Sequence, residues 1–150
     1  MGGVYTSYVC NNDVLMAHVA ELYLKSGMKI ADVTFGKGVF WNLIDTTQYD
    51  FHPSDILTVP DFPYDCRDLP YENESYDVVV FDPPYSHSPG KMIVNDSYKN
   101  VETTKGFYHK DIIQLYREGM IEAWRILKKT GTLFVKCMDE IQSSVQCMSH

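Results

Sequence analysis

Apolar residues along this chain recur in two rhythms, and the way they alternate sets the expected architecture. From Asp13 onward Val14, Leu15, His18, Val19, Leu22 and Tyr23 return at helical spacing. Asn12 stands where a helix N-cap is favoured, and Ser26-Gly27 stops the run. Residues 28–33 form a short apolar run read as a buried strand, with a break at Gly36. A brief helical piece follows at 40–44, then a weaker strand at 46–51 closed by His52-Pro53. Residues 55–70 are loop-like, with prolines at 60, 63 and 70, and a short strand is expected at 62–65. Residues 75–81 (SYDVVVF) are continuous, β-branched and bounded by turn residues, which marks a strand. Strands apolar throughout belong to parallel sheets covered on both faces.

Residues 86–106 are polar and read as a long surface loop. Loops of more than ~15 residues in a compact domain are usually functional or mobile. Over 111–128 the stripe Ile112, Leu115, Tyr116, Met120, Ala123, Trp124 and Leu127 makes an amphipathic helix. Thr130-Gly131 ends it, and 132–137 (TLFVKC) is another buried strand. Strands alternating with helices predict an α/β three-layer sandwich with a mainly parallel sheet. Ligands in such sheets bind beyond the carboxyl ends of the strands.

The 150 residues suit a single domain, residues 1–150, and 45% hydrophobic with 22% charged residues is ordinary for a globular chain. No apolar run is long enough to span a membrane. The N-terminus MGGVYTSYVC lacks a basic segment followed by a long apolar one, so no secretory signal is read. The four cysteines, Cys10, Cys66, Cys137 and Cys147, form no CxxC pair and read as free thiols of a cytoplasmic protein. The net charge of −7 argues against a broad, sequence-independent grip on nucleic acid.

Two motifs carry chemistry, each at a predicted strand end. In Asp32-Val33-Thr34-Phe35-Gly36-Lys37-Gly38 a strand runs into a turn whose glycines lie two apart. Such a turn lets a ligand lie close to the backbone, but it is neither a full GxGxxG fingerprint nor a P-loop. Taken alone it is equally a plain strand-to-helix turn. The second motif, Asp82-Pro83-Pro84-Tyr85, follows SYDVVVF directly. Two prolines fix φ and remove two amide donors. The ledge they make holds a carboxylate, carbonyl oxygens and an aromatic ring, a combination suited to a planar group bearing an NH2. The plain alternative is a proline-rich turn, yet an Asp at the end of a buried strand needs a partner.

These two motifs in this order, some fifty residues apart, resemble those of the amino-methylating S-adenosylmethionine-dependent DNA methyltransferases, over about residues 12–137. DPPY is most typical of the members acting on N6 of adenine. The resemblance implies a Rossmann-like class I methyltransferase fold with S-adenosylmethionine as cofactor and DNA, its target base flipped out, as partner. It implies that Asp32, Phe35, Gly36 and Gly38 line the methionine end of the cofactor. Asp50 would hold the ribose hydroxyls as the acid ending the second strand, its alternative being a solvated strand-end carboxylate. Asp65, with Asp68 as competitor, would accept from the cofactor's adenine amine, and the Cys66 N–H would reach the ring. Asp82, Pro83, Pro84 and Tyr85 would be the catalytic set.

Two features strain that resemblance. Lys91, Lys99, Lys105, Lys110 and Arg117 lie in or near the long loop, where they either touch a nucleic-acid backbone or are simply solvated. After residue 137 only thirteen residues follow, too few for the helix and antiparallel strand pair with which such sheets continue. The expected sheet therefore lacks its C-terminal strands, and a second copy of the chain or a further C-terminal part is expected to cover the open edge. Other readings of the same residues are a methyltransferase acting on another amine, N4 of cytosine or N6 of adenine in RNA, and a non-catalytic cofactor-binding scaffold. A glutamine-modifying enzyme of similar pattern usually carries Asn in place of Asp82.

Overall fold

In a computed structural model of the protein, residues 10–84 and 109–137 are described. The described chain runs α1 (Asn12–Tyr23), β1 (Lys29–Asp32), β2 (Asp50–Pro53), β3 (Tyr76–Phe81), α2 (His109–Ile126) and β4 (Leu127–Val135). The four strands form one sheet in the order β2-β1-β3-β4, and every pairing is parallel.

The apolar runs supply both faces of that sheet, because successive side chains of a strand point to opposite sides. Ile30, Val78 and Val80 pack with Met16 of α1 and with Trp41. Ala31, Val79 and Phe81 pack with Ile112, Tyr116, Ala123 and Ile126 of α2, and with Cys66 and Leu69. The result is the three-layer α/β sandwich expected, of the Rossmann-like type. The strand order reverses between β1 and β3, and a crevice opens beyond their carboxyl ends at such a point. Among the described residues no helix is long and apolar enough to cross a membrane.

Several boundaries differ from the sequence expectation, each for a local reason. The N-cap of α1 is Asn11 rather than Asn12. The helical piece expected at 40–44 is a 3-10 turn, Val39–Trp41. The strand expected at 46–51 begins only at Asp50: Asp45 accepts from the Thr47 amide at 3.0 Å and its hydroxyl at 2.6 Å, winding Thr46–Gln48 into another 3-10 turn. No strand forms at 62–65; Asp65 instead turns the chain by accepting from the Arg67 amide at 2.9 Å. The last helix stops at Ile126, and β4 starts immediately rather than after Gly131. The ladder with β3 is irregular between Tyr76 and Val78, and Gly131 fits there because a Cβ would meet Leu127 at 2.6 Å and the Asp77 carbonyl at 2.9 Å. The long loop expected at 86–106, with Lys91, Lys99 and Lys105, lies outside the described residues, as does the segment after residue 137.

Candidate functional site

The two strand-end motifs meet in the crevice. After β1 the Val33 amide still pairs with the Val80 carbonyl at 3.1 Å, and the chain then turns under Thr34 and Phe35. Gly36 takes φ +56°, a left-handed conformation that favours glycine, and its N–H donates to Asp55 Oδ2 at 3.1 Å. Gly38 is also left-handed, and a Cβ there would lie 2.5 Å from the Phe35 ring. Its bareness therefore seats Phe35. From β3 the chain continues into Asp82-Pro83-Pro84, and the Asp82 amide donates to Thr34 Oγ1 at 2.6 Å. Thr34 thus ties one motif to the other.

Between them lies a cleft of about 520 Å³, within the ~300–1,000 Å³ usual for small-molecule sites. Asp32, Phe35 and Gly36 of the first motif and Asp82, Pro83 and Pro84 of the second line it, together with Asp55, Ile56, Asp65 and Cys66.

Two acids dominate its electrostatics, Asp32 buried and Asp82 half-buried. Asp32 is 3% exposed. Its Oδ2 accepts from the Trp41 indole N–H at 2.7 Å and its Oδ1 from the Thr34 amide at 3.2 Å. Burial nevertheless pushes its carboxyl up to about 7, the two hydrogen bonds working against that and the nearby Asp82 and Asp55 carboxylates adding to it. Burial likewise raises Asp82, against the pull of Lys136, whose Nζ stands 3.3 Å from Asp82 Oδ2. The other oxygen, Asp82 Oδ1, is buried with no hydrogen-bond partner among the described residues. A buried acceptor left without a donor is costly in a folded protein. Burial also raises the Cys66 thiol, to about 12, so it stays a neutral wall of the cleft. Asp65 is held below the usual carboxylate range by the Arg67 guanidinium, 2.6 Å away. The arrangement suits a ligand that is cationic, partly apolar and rich in groups that donate hydrogen bonds.

Of the residues singled out in the sequence, Asp32, Phe35, Gly36, Asp65, Cys66, Asp82, Pro83 and Pro84 all line this cleft. Gly38 supports it without lining it, and Tyr85 lies outside the described residues. Asp50 is elsewhere. It opens β2 instead of closing it, pairs in register with Lys29 at the start of β1, and binds His52 at 2.8 Å on the surface. The acid just past the carboxyl end of β2 is Asp55, whose carboxylate accepts from the amides of Gly36, Leu57 and Thr58. The Pro83 carbonyl does not stand free: the Tyr116 hydroxyl lies 3.3 Å from it and 2.9 Å from the Lys136 carbonyl. Sequence reasoning missed Thr34, Trp41, Asp55, Tyr116 and Lys136. Lys136 left a signal as the one charged residue in TLFVKC, and Asp55 as an acid close after the second strand.

No protein-family model matches the chain, and no curated protein sequence matches it. Solved structures do resemble it. One is the PH0226 protein of Pyrococcus horikoshii, with a TM-score of 0.54 and 19% identity, covering 87% of this chain and 54% of that one. Another is a protein of Methanococcus maripaludis named as a candidate S-adenosyl-L-methionine-dependent methyltransferase, with a TM-score of 0.50 and 14% identity, covering 91% of this chain and 61% of that one. The chain therefore spans between half and two thirds of the length of these proteins, and the likeness is one of fold.

Proposed function

We propose that this protein is an S-adenosylmethionine-dependent methyltransferase acting on the exocyclic N6 of adenine in DNA. The observation that carries the reading is Asp82 Oδ1, a buried acceptor without a partner among the described residues, in the wall of a cleft shared with the Asp32–Gly36 turn. S-adenosylmethionine supplies a methyl group on a sulfonium cation. The cleft fits such a molecule: acids, Asp82 among them, line its wall, and Asp55, in place of Asp50, offers an acid for a ribose diol. Asp65 and the apolar walls of Ile56 and Cys66 would border the adenine of the donor.

Adenine's amine is a poor nucleophile because its lone pair is delocalised into the ring. Asp82 Oδ1 would accept one of its N–H groups, and the Pro83 carbonyl would accept the other with the lone pair that Tyr116 leaves. Fixed acceptors of this kind draw the nitrogen lone pair out of the ring and stabilise the positive charge that develops on it. Holding the amine in line with the methyl group adds an orientation contribution. Asp82 or water would then take the proton. Tyr85, next in the chain, is the ring proposed to stack on the flipped base, an interaction worth ~1–3 kcal/mol.

Labelled-methyl transfer onto unmethylated DNA, compared with RNA, tests the reading. Label in DNA recovered as N6-methyladenine is expected. Label only in RNA or at N4 of cytosine would move the assignment to that amine, and binding of the donor with no transfer to any amine would leave a scaffold. For Asp82→Ala, turnover should fall by at least ~100-fold while calorimetry still registers donor binding. Equal loss of both would refute the division of roles.

A further inference from the structure

We infer that Lys136 is a positioning residue of this site: by pairing with Asp82 Oδ2 at 3.3 Å it fixes the Asp82 carboxylate in the cleft wall as an acceptor for the incoming amine. The inference rests on the methyltransferase reading for its catalytic meaning, but the ion pair is testable without any turnover.

The lysine is built into the framework on both sides of its side chain. Its amide donates to the Phe81 carbonyl at 3.0 Å, extending the β3–β4 ladder to the residue beside Asp82. Its carbonyl accepts from the Tyr116 hydroxyl of α2 at 2.9 Å. Its ammonium lies 3.3 Å from Asp82 Oδ2 and 5.7 Å from the centre of the Phe40 ring. Both charged side chains are mostly withdrawn from solvent, 26% exposed for Lys136 and 22% for Asp82. At that degree of burial their attraction is screened far less than at the surface.

The need for such a cation follows from its surroundings. Asp32 on β1 lies close enough to Asp82 for their charges to repel. Asp55 past β2, Asp111 on α2 and Asp65 line the same cleft, and Lys37 of the β1 turn and Arg67, which pairs with Asp65 at 2.6 Å, are further cations there. In a cleft lined by so many acids, a desolvated carboxylate without a counter-charge takes up a proton. A protonated Asp82 would present a donor where the amine requires an acceptor. Lys136 also engages one carboxylate oxygen, which leaves the other, buried and without a partner among the described residues, as the acceptor still to be satisfied. The lysine need not touch the substrate to decide whether Asp82 can work.

The test is an NMR titration of carboxyl-13C-labelled aspartate, with Asp82 assigned by the resonance that vanishes in Asp82→Asn. In Lys136→Met the Asp82 midpoint should move to higher pH, and in Lys136→Arg it should stay near that of the wild type. Lys136→Gln provides a second neutral variant, each being checked by circular dichroism. In parallel, methyl transfer by Lys136→Met should drop more at pH 6 than at pH 9, since the protonated fraction of a carboxyl without its counter-charge grows as the pH falls. KM for the donor should be little changed, and Lys136→Arg should restore the acid limb. An Asp82 midpoint unmoved in both neutral variants would overturn the inference. A midpoint that moves in a protein without any methyl transfer would overturn the proposed activity and leave the ion pair standing.

Discussion

Gly119 provides a test in which two physical effects of opposite sign compete. It lies inside α2, and in a helix interior alanine is favoured over glycine by ~1 kcal/mol. On propensity alone, Gly119→Ala should stabilise the protein. The packing reverses that expectation. A Cβ on Gly119 would stand 2.5 Å and 2.6 Å from two atoms of the Phe81 ring. Phe81 is fully buried and cannot swing away, because the Tyr116 ring packs against it at 5.7 Å. Forcing an extra methyl into a filled core costs ~1–3 kcal/mol, and contacts this short put the cost at the upper part of that range. The net result should be a destabilisation of ~1–2 kcal/mol, read from the urea midpoint at constant m-value. Phe81 immediately precedes Asp82, so donor affinity should fall with it. In the double variant Gly119→Ala/Phe81→Leu the vacated ring should accommodate the methyl, with a favourable coupling of ~1 kcal/mol. A midpoint that rises in Gly119→Ala, or a double variant that is simply additive, would refute the argument.

Two further outcomes concern stability. Asp32 ionises near 7 in the folded chain against 3.8 as the ordinary value, so it holds its proton more tightly when folded. Its contribution is therefore fully favourable below pH ~4 and is lost progressively as pH rises to about 7, by up to roughly 4 kcal/mol at 1.36 kcal/mol per unit. Urea unfolding between pH 5 and 8 should show that decline, and a carboxyl-13C midpoint for Asp32 below pH 5 would contradict it. Arg125 donates to the carbonyls of Leu69 and Tyr71, to Asn73 and to both oxygens of Glu122, fastening the 69–73 segment to α2. Arg125→Met should cost ~1–3 kcal/mol in urea unfolding and weaken donor binding, because residues 64–67 just before that segment line the cleft. An unchanged midpoint would show the fastening to be irrelevant.

What the sequence alone determined is the alternation of buried strands and amphipathic helices, and the two strand ends at which polar residues gather. SYDVVVF and the helical face of Ile112, Tyr116 and Ala123 are legible because burial on both faces, or on one helical face, leaves a periodic trace in the order of residues; Trp124 of the expected stripe is instead exposed, Leu127 opens β4, and Ile126 takes the buried position. DPP and the glycine turn are legible because backbone geometry restricts them to few residue types. Tertiary structure decided the rest, through contacts between residues far apart in the chain. Asp50 and Asp55 look alike as acids near the second strand. The hydrogen bonds of Asp45 delay β2, so that Asp50 falls at the amino-terminal end of the strands and Asp55 in the cleft. Trp41 as the partner of Asp32, Thr34 as the acceptor for the Asp82 amide, and Lys136 as its counter-ion span 9, 48 and 54 positions. No local pattern encodes such pairs, because each partner reaches the other only after the parallel ladder has brought the ends of β1, β3 and β4 side by side.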